Sequence, residues 1–168
     1  GKSTLLKIVA GLEEPDSGSV VRRRNLDIRY LPQNPRFTAG DTILEAIVRE
    51  NEGHSHVWDL ESQAKTMLTK LGIYDFDAKV ETLSGGQRKR IALVSVLLST
   101  AELLVLDEPT RNFSPLSGPV IRGILADFPG CILSVSHDRK YLGQVCSTLY
   151  RLEPSGLAPM ENLWRERP

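Results

Sequence analysis

Two adjacent carboxylates, Asp107 and Glu108, follow the apolar residues Leu103-Leu104-Val105-Leu106 and are themselves followed by Pro109. A Leu/Val run without polar alternation suits a parallel strand buried on both faces, and proline, which cannot donate to a ladder, ends it. The acids therefore stand at the carboxyl end of that strand, the edge at which open α/β sheets bind ligands. Two like charges side by side need a metal, a proton or a phosphate-bound water to be tolerated there. Taken alone, the pair reads equally as the acidic cap of a following helix.

Other stretches carry phosphate chemistry. Gly1-Lys2-Ser3-Thr4 is the second half of G-x-x-x-x-G-K-[ST], in which backbone N–H groups cradle phosphates, the lysine reaches the β- and γ-phosphates, and the hydroxyl meets Mg²⁺. The same four residues could simply cap a helix. In Leu83-Ser84-Gly85-Gly86-Gln87, Ser84 is a natural N-cap, and two glycines let a phosphate or another backbone approach the positive end of the helix. Gln33 follows one strand-like run and His137 follows another; a lone polar residue in either place reads first as structural. Gly53-His54-Ser55-His56 offers two histidines without a third ligand nearby, a pattern of solvent-facing loops rather than of a metal site.

The elements that must position these residues follow from periodicity and punctuation. Leu5 to Ala10 suits a short buried helix stopped by Gly11. Ser19-Val20-Val21 and Leu26 to Leu31 read as two short strands about the basic turn Arg22-Arg23-Arg24, which reads as a solvated hairpin tip. Thr42, with Glu45 in the capping-box position, opens a helix bearing Ile43, Leu44, Ile47 and Val48. A second helix places Val57, Leu60, Ala64, Met67, Leu68 and Leu71 three and four apart and stops at Gly72. Ile91 to Leu98 is an apolar helix after the Ser84 cap. Pro119 suits the first turn of a helix bearing Val120, Ile121, Ile124 and Leu125, closed by Pro129-Gly130. Cys131 to Ser136 is a further buried strand, and Asp138 starts a helix behind it. The tail from Glu153, with Trp164 and Arg165, reads as a strand end and a loosely held extension.

In this order and at these spacings, Gly1-Lys2-Ser3-Thr4, Gln33, Leu83 to Gln87, Leu103 to Glu108 and His137 resemble the Walker A, Q-loop, signature, Walker B and H-loop of an ATP-binding cassette (ABC) ATPase. The likeness covers nearly the whole chain. It implies a P-loop NTPase-like α/β fold: a mostly parallel sheet with flanking helices and a helical insertion, about 42–100, carrying the signature. One nucleotide-binding domain is expected over 1–152, lacking its first strands and half of the P-loop, with 153–168 as a C-terminal extension. The implied ligands are ATP and Mg²⁺. Gly1, Lys2, Ser3, Thr4, Ser84, Gly85, Gly86 and Gln87 would bind nucleotide, and Ser3, Gln33 and Asp107 would hold the metal. The resemblance makes Glu108, His137 and Gln33 catalytic: Glu108 orients and deprotonates the attacking water, and His137 is the switch contact to the γ-phosphate. It also implies a second cassette, paired head to tail, whose ATP the Ser84 helix start closes over.

Within the superfamily, the short segment from Lys2 to Gln33, the run Val135-Ser136-His137-Asp138-Arg139, and Met67 to Gly72 leading through Phe76-Asp77 resemble the soluble ABC-F branch, whose members act on the ribosome. That implies a translation factor or an antibiotic ribosomal protection protein. One departure is Arg111-Asn112-Phe113-Ser114, where the branch carries Asn-His-Leu-Asp; Ser114 replaces the D-loop aspartate, which bears on coupling between paired sites. The alternatives are the motor subunit of a membrane transporter and a non-hydrolysing binding module.

Composition narrows the classes. With 168 residues the chain holds one full-sized core, and Lys+Arg and Asp+Glu both number 21, so no global charge favours nucleic acid or an anionic membrane. Cys131 and Cys146 lie in apolar runs and read as buried free thiols of a reducing, cytoplasmic compartment. No apolar run approaches the roughly 20 residues of a membrane span, and no signal peptide is present, so direct membrane insertion is not expected. Gly1 falls inside a motif, and the sequence reads as a fragment or a truncated frame.

Overall fold

Residues 1–53 and 57–165 are described by the computed structural model; the pair His54 and His56 lies outside them. Helix α1 (Lys2–Ala10) ends at Gly11, whose φ of 81° is the left-handed conformation that closes a helix without a Cβ clash. Strand β1 (Ile28–Leu31) follows, then α2 (Ile43–Glu50), α3 (Val57–Lys70) and, after a 3₁₀ turn over Val80–Thr82, α4 (Gly85–Leu97). Strand β2 (Leu103–Asp107), α5 (Ser117–Ala126), β3 (Cys131–Val135) and α6 (Arg139–Gln144) complete the α/β part, and β4 (Leu149–Glu153) and β5 (Gly156–Met160) form a hairpin.

The sheet is parallel, in the order β1-β2-β3, with Leu31 opposite Leu106 and Asp107 opposite Val135. The central strand has the burial its composition requires: Leu104, Val105 and Leu106 are fully enclosed. Helix α1 packs against all three strands. Helices α2, α3 and α4 pack on one another, sharing Ile43, Ile47, Ala64, Leu68, Ile91 and Val94 in a core continuous with the sheet. Thr42 caps α2 in a reciprocal box with Glu45, and Arg49 grips the buried Asp41 carboxylate through two hydrogen bonds of 2.8 and 2.9 Å.

Three expectations are corrected. Val20 and Val21 form no strand: they are exposed, and no ladder partner reaches them among the described residues, so β propensity alone leaves them as loop. Among the described residues strand β3 is paired on one side only and its burial alternates, so Cys131 is exposed rather than buried; both thiols are free. The segment after the hairpin is anchored, not loose. Asn162 Nδ2 donates to the Leu142 and Cys146 carbonyls at 3.0 and 2.9 Å, and Arg139 sits 5.8 Å from the Trp164 ring centroid. Gly143 makes this docking possible, because a Cβ there would collide with the Trp164 carbonyl.

Tyr141 is fully buried on α6 and its phenol donates to Ser134 Oγ at 3.0 Å. Burial pushes the phenol well above its ordinary pKa, so the folded state holds that proton more tightly than the unfolded chain does. The stability this supplies is complete below the unfolded pKa of 10.0 and is lost as pH rises above it. Tyr141→Phe is expected to cost about 1 kcal/mol at neutral pH through the lost hydrogen bond, and to reduce the further loss of stability on going to pH 11. Urea midpoints for both proteins at the two pH values check this, and an equal alkaline loss in both would refute it.

Candidate functional site

Because β1, β2 and β3 run parallel and in register, whatever follows their carboxyl ends shares one edge. Gln33 follows β1 after Pro32, Glu108 follows β2, and His137 follows β3 after Ser136. Asp107 is the last residue of β2 and is only 4 % exposed.

The structure joins Glu108 and His137 directly. Glu108 N–H donates to the Val135 carbonyl at 2.9 Å, which extends the ladder by one step. The chain then turns sharply, with Glu108 in the left-handed region at φ 49°, a conformation that costs a non-glycine residue energy and that clusters at functional sites. The turn aims the carboxylate at the next loop. Its Oε2 accepts the His137 backbone N–H at 3.3 Å, and Oε1 lies 3.4 Å from His137 Nε2. The Glu108 side chain is 13 % exposed, whereas that of His137 is 76 % exposed, so the acid is held in the floor of the edge and the imidazole stands over it. Thr110 Oγ1 donates to Asp138 Oδ2 at 2.9 Å, and Asp138 Oδ1 caps α6 by accepting from Lys140 and Tyr141. The β2 and β3 loops are thus fixed to each other.

Ser84 and Gln87 form the cap of α4 reciprocally: Gln87 N–H donates to Ser84 Oγ at 3.2 Å and Ser84 N–H to Gln87 Oε1 at 2.9 Å. A Cβ on Gly86 would meet the Asn112 carbonyl at 3.2 Å, a tight contact, so that glycine eases the close approach of the 111–114 loop, whose Asn112 has φ 66°. Gly85 has open space beside it. Gly1, Lys2, Ser3 and Thr4 form the start and first turn of α1; Lys2 and Thr4 are exposed, Ser3 is half-buried, and Gly1 caps the helix without a side chain.

One residue of the site escaped the reading of the sequence. Lys89, on α4, is 2 % exposed, and its Nζ donates to three backbone carbonyls: Gln33 at 3.2 Å, Asp107 at 3.3 Å and Glu108 at 2.5 Å. Burial lowers its pKa to about 8, while the Asp107 and Glu108 carboxylates act against that fall. The signal was in the helical spacing. Ala92, Leu93 and Val96 lie three, four and seven positions on and are all buried, so Lys89 belongs to the apolar stripe of the helix, whereas its neighbours Arg88 and Arg90 are half-buried.

The profile of a known family, described as ABC transporter, matches residues 1–111, a span that takes in the α1 start, Gln33, the Ser84 cap and the Asp107-Glu108 strand end. The chain belongs to that family. Its cassettes are ATPases that bind ATP and dimerise. Among similar proteins, an ABC transporter ATP-binding protein of Bacillus subtilis, YfmR, whose role is uncharacterized, is 34 % identical over 94 % of this chain and 31 % of its own length. The energy-dependent translational throttle protein EttA of Haemophilus influenzae is 29 % identical over 96 % of this chain and 36 % of its own. Among solved structures, RNase-L Inhibitor superposes with a TM-score of 0.78 at 28 % identity, over 95 % of this chain and 32 % of that one. The chain therefore spans about one third of the length of the relatives it matches.

The donor set suits a magnesium ion. Ser3, Gln33 and Asp107 offer a hydroxyl, an amide carbonyl and a carboxylate, all hard oxygen ligands. Among the described residues there is no group of three or more His, Cys, Asp and Glu that could cage a metal. Few protein oxygens, completed by substrate phosphates and water, is the coordination that magnesium prefers.

Proposed function

We propose that this chain is an ATP-hydrolysing cassette of the ABC-F type, part of a protein that acts on the ribosome as a translation factor or in antibiotic protection. The observation that carries the catalytic half of this reading is the single edge holding Gln33, Asp107, Glu108 and His137, with the Glu108 carboxylate seated on the His137 backbone N–H at 3.3 Å. The ribosomal half is supported by the likeness to a translational throttle protein over 96 % of the chain and by the sequence features of the branch.

The chemistry is attack of water on the γ-phosphorus of ATP. A bond forms from the water oxygen, the bond to the β–γ bridging oxygen breaks, and ADP and phosphate leave; catalysis is mainly positioning and neutralisation of charge. Glu108 accepts the proton of the attacking water. Its enclosure suits that role: the side chain is 13 % exposed, and its oxygens meet the His137 N–H and imidazole. His137, exposed above it, donates to the γ-phosphate in this reading. Lys2 neutralises β- and γ-oxygens, and the α1 and α4 starts supply N–H groups to phosphates, α4 toward ATP on a second cassette. Ser3, Gln33 and Asp107 would hold Mg²⁺, which when bound neutralises phosphate charge. Ser114 in place of an acidic D-loop residue leaves these assignments intact and alters only what passes between paired cassettes.

A second reading, the motor subunit of a transporter, is favoured by the name of the Bacillus relative. Among the described residues no helix is long and apolar enough to cross a membrane, so in that reading the contact with the membrane is made outside this segment. The test is ATP turnover by the full reading frame, together with cosedimentation with ribosomes. ABC-F function predicts ATP-dependent cosedimentation. Co-purification with an integral membrane subunit, and no ribosome binding, would establish the transporter reading instead.

A further inference from the structure

Lys89 joins three parts of the site that the sequence separates widely. It sits five residues after Ser84 on α4, and from there its ammonium reaches the carbonyls of Gln33, Asp107 and Glu108. An ammonium has three protons and here finds three acceptors, so its donors are fully used within a buried setting. The shortest of the three bonds, 2.5 Å, falls on the carbonyl of Glu108, the residue whose backbone is left-handed at φ 49°. That carbonyl also accepts the Arg111 N–H at 3.1 Å, so the turn after β2 is closed from two sides. The Glu108 peptide unit is thus clamped between its N–H, bonded to Val135, and its carbonyl, bonded to Lys89 and Arg111. The side chain that meets His137 leaves from this clamped unit.

We propose that Lys89 is a positioning residue for hydrolysis: it fixes the Glu108 turn and the Gln33 loop to the signature helix, so that the base and the helix start facing a partner's nucleotide move as one body. The proposal rests on the reading of Glu108 as the general base. A displacement of about 1 Å in a reacting group is enough to cost about 10²-fold in rate. Since all three Lys89 donors are taken by backbone carbonyls, its loss should fall on kcat and leave nucleotide affinity nearly unchanged.

The test uses the full reading frame with Lys89→Met, which keeps an unbranched side chain and removes the donors. Ile91→Val, a loss of one buried methyl on the same helix, serves as the stability control. The expected result is a 10- to 100-fold fall in kcat (about, by the displacement argument above) with less than about a threefold change in the dissociation constant of a fluorescent ATP analogue. In nucleotide-free protein, hydrogen exchange should rise in peptides covering 106–111 and 135–139 for Lys89→Met and not for Ile91→Val. Lys89→Gln, with two donors on a shorter stem, should lie between. Unchanged kcat and exchange in Lys89→Met would overturn the proposal, as would an equal fall in Ile91→Val. Failure of both Lys89 variants to fold would overturn it too, by making the residue a requirement of the fold rather than of the site. If the unsubstituted protein does not hydrolyse ATP, the functional reading fails instead, and the exchange result still decides whether Lys89 holds the Glu108 turn.

Discussion

Glu108→Gln, introduced into the full reading frame, is expected to lower ATP turnover by about 10²- to 10⁴-fold, the usual contribution of a general base, while the protein still binds ATP. Glutamine fills the same volume, and its side-chain oxygen can still accept the His137 N–H that Glu108 Oε2 now accepts at 3.3 Å. Glutamine also has a backbone compatible with the turn, because the φ of 49° is enforced by the ladder bond to Val135 and the contacts on the carbonyl rather than by the side chain's charge. What is lost is the ability to take a proton from water. The variant should therefore accumulate bound ATP that survives gel filtration, detected by extraction and separation of nucleotides, with hydrolysis nearly absent in single-turnover measurements. Turnover equal to that of the unsubstituted protein would remove Glu108 from the role of base and leave the edge as a binding site.

The largest effect on stability is expected from Leu104→Ala. Leu104 is fully buried in the central strand, with Arg29 beside it on β1 and Ile132 on β3, so no rearrangement at an edge can close the space left behind. Removal of its buried methyl and methylene groups should cost about 2–5 kcal/mol, a transfer loss plus a cavity loss, which for a chain of this size lowers the unfolding midpoint by roughly 4–20 °C. Leu133 on β3 is 40 % exposed, and its replacement by alanine should cost well under half as much. Thermal or urea unfolding of the two variants gives the comparison. Equal losses would mean that the sheet is not centred on β2. Because β2 delivers both Asp107 and Glu108, any loss of activity in Leu104→Ala beyond the loss of folded fraction would report a shift of that strand end.

Much of this arrangement was legible from the chain. Thr42 with Glu45, and Ser84 as an N-cap, announced two helix starts through side chains that satisfy nearby backbone, a local interaction that needs no distant partner, and the structure adds Gln87 as the return half of the second cap. The unbroken run Leu103 to Leu106 announced a strand buried on both faces, because only such a strand can dispense with alternation. Less legible were features set by neighbours. Val20 and Val21 have strand propensity but no ladder partner among the described residues, and propensity without pairing leaves backbone groups to solvent. Cys131 sits in an apolar run, yet an edge strand of alternating burial turns its side chain outward. The tail carries no local signal for its docking, which depends on Gly143 offering room to the Trp164 carbonyl and on Asn162 meeting carbonyls near the end of α6.

By itself the sequence determined the chemistry on offer: a lysine and hydroxyls at a helix start, a capped glycine pair, two carboxylates at a strand end, and a glutamine and a histidine after apolar runs. Those are properties of residue type and short spacing, and they survive reading one residue at a time. Only the tertiary structure decided that the ends of β1, β2 and β3 form one edge, that Glu108 turns left-handed toward His137, and that Lys89 belongs to the site rather than to solvent. The reason is one of distance along the chain. Lys89 lies 56 residues from Gln33, and Glu108 lies 29 from His137. Contacts of that span exist only once a parallel sheet has set its register and a helix has packed beside it.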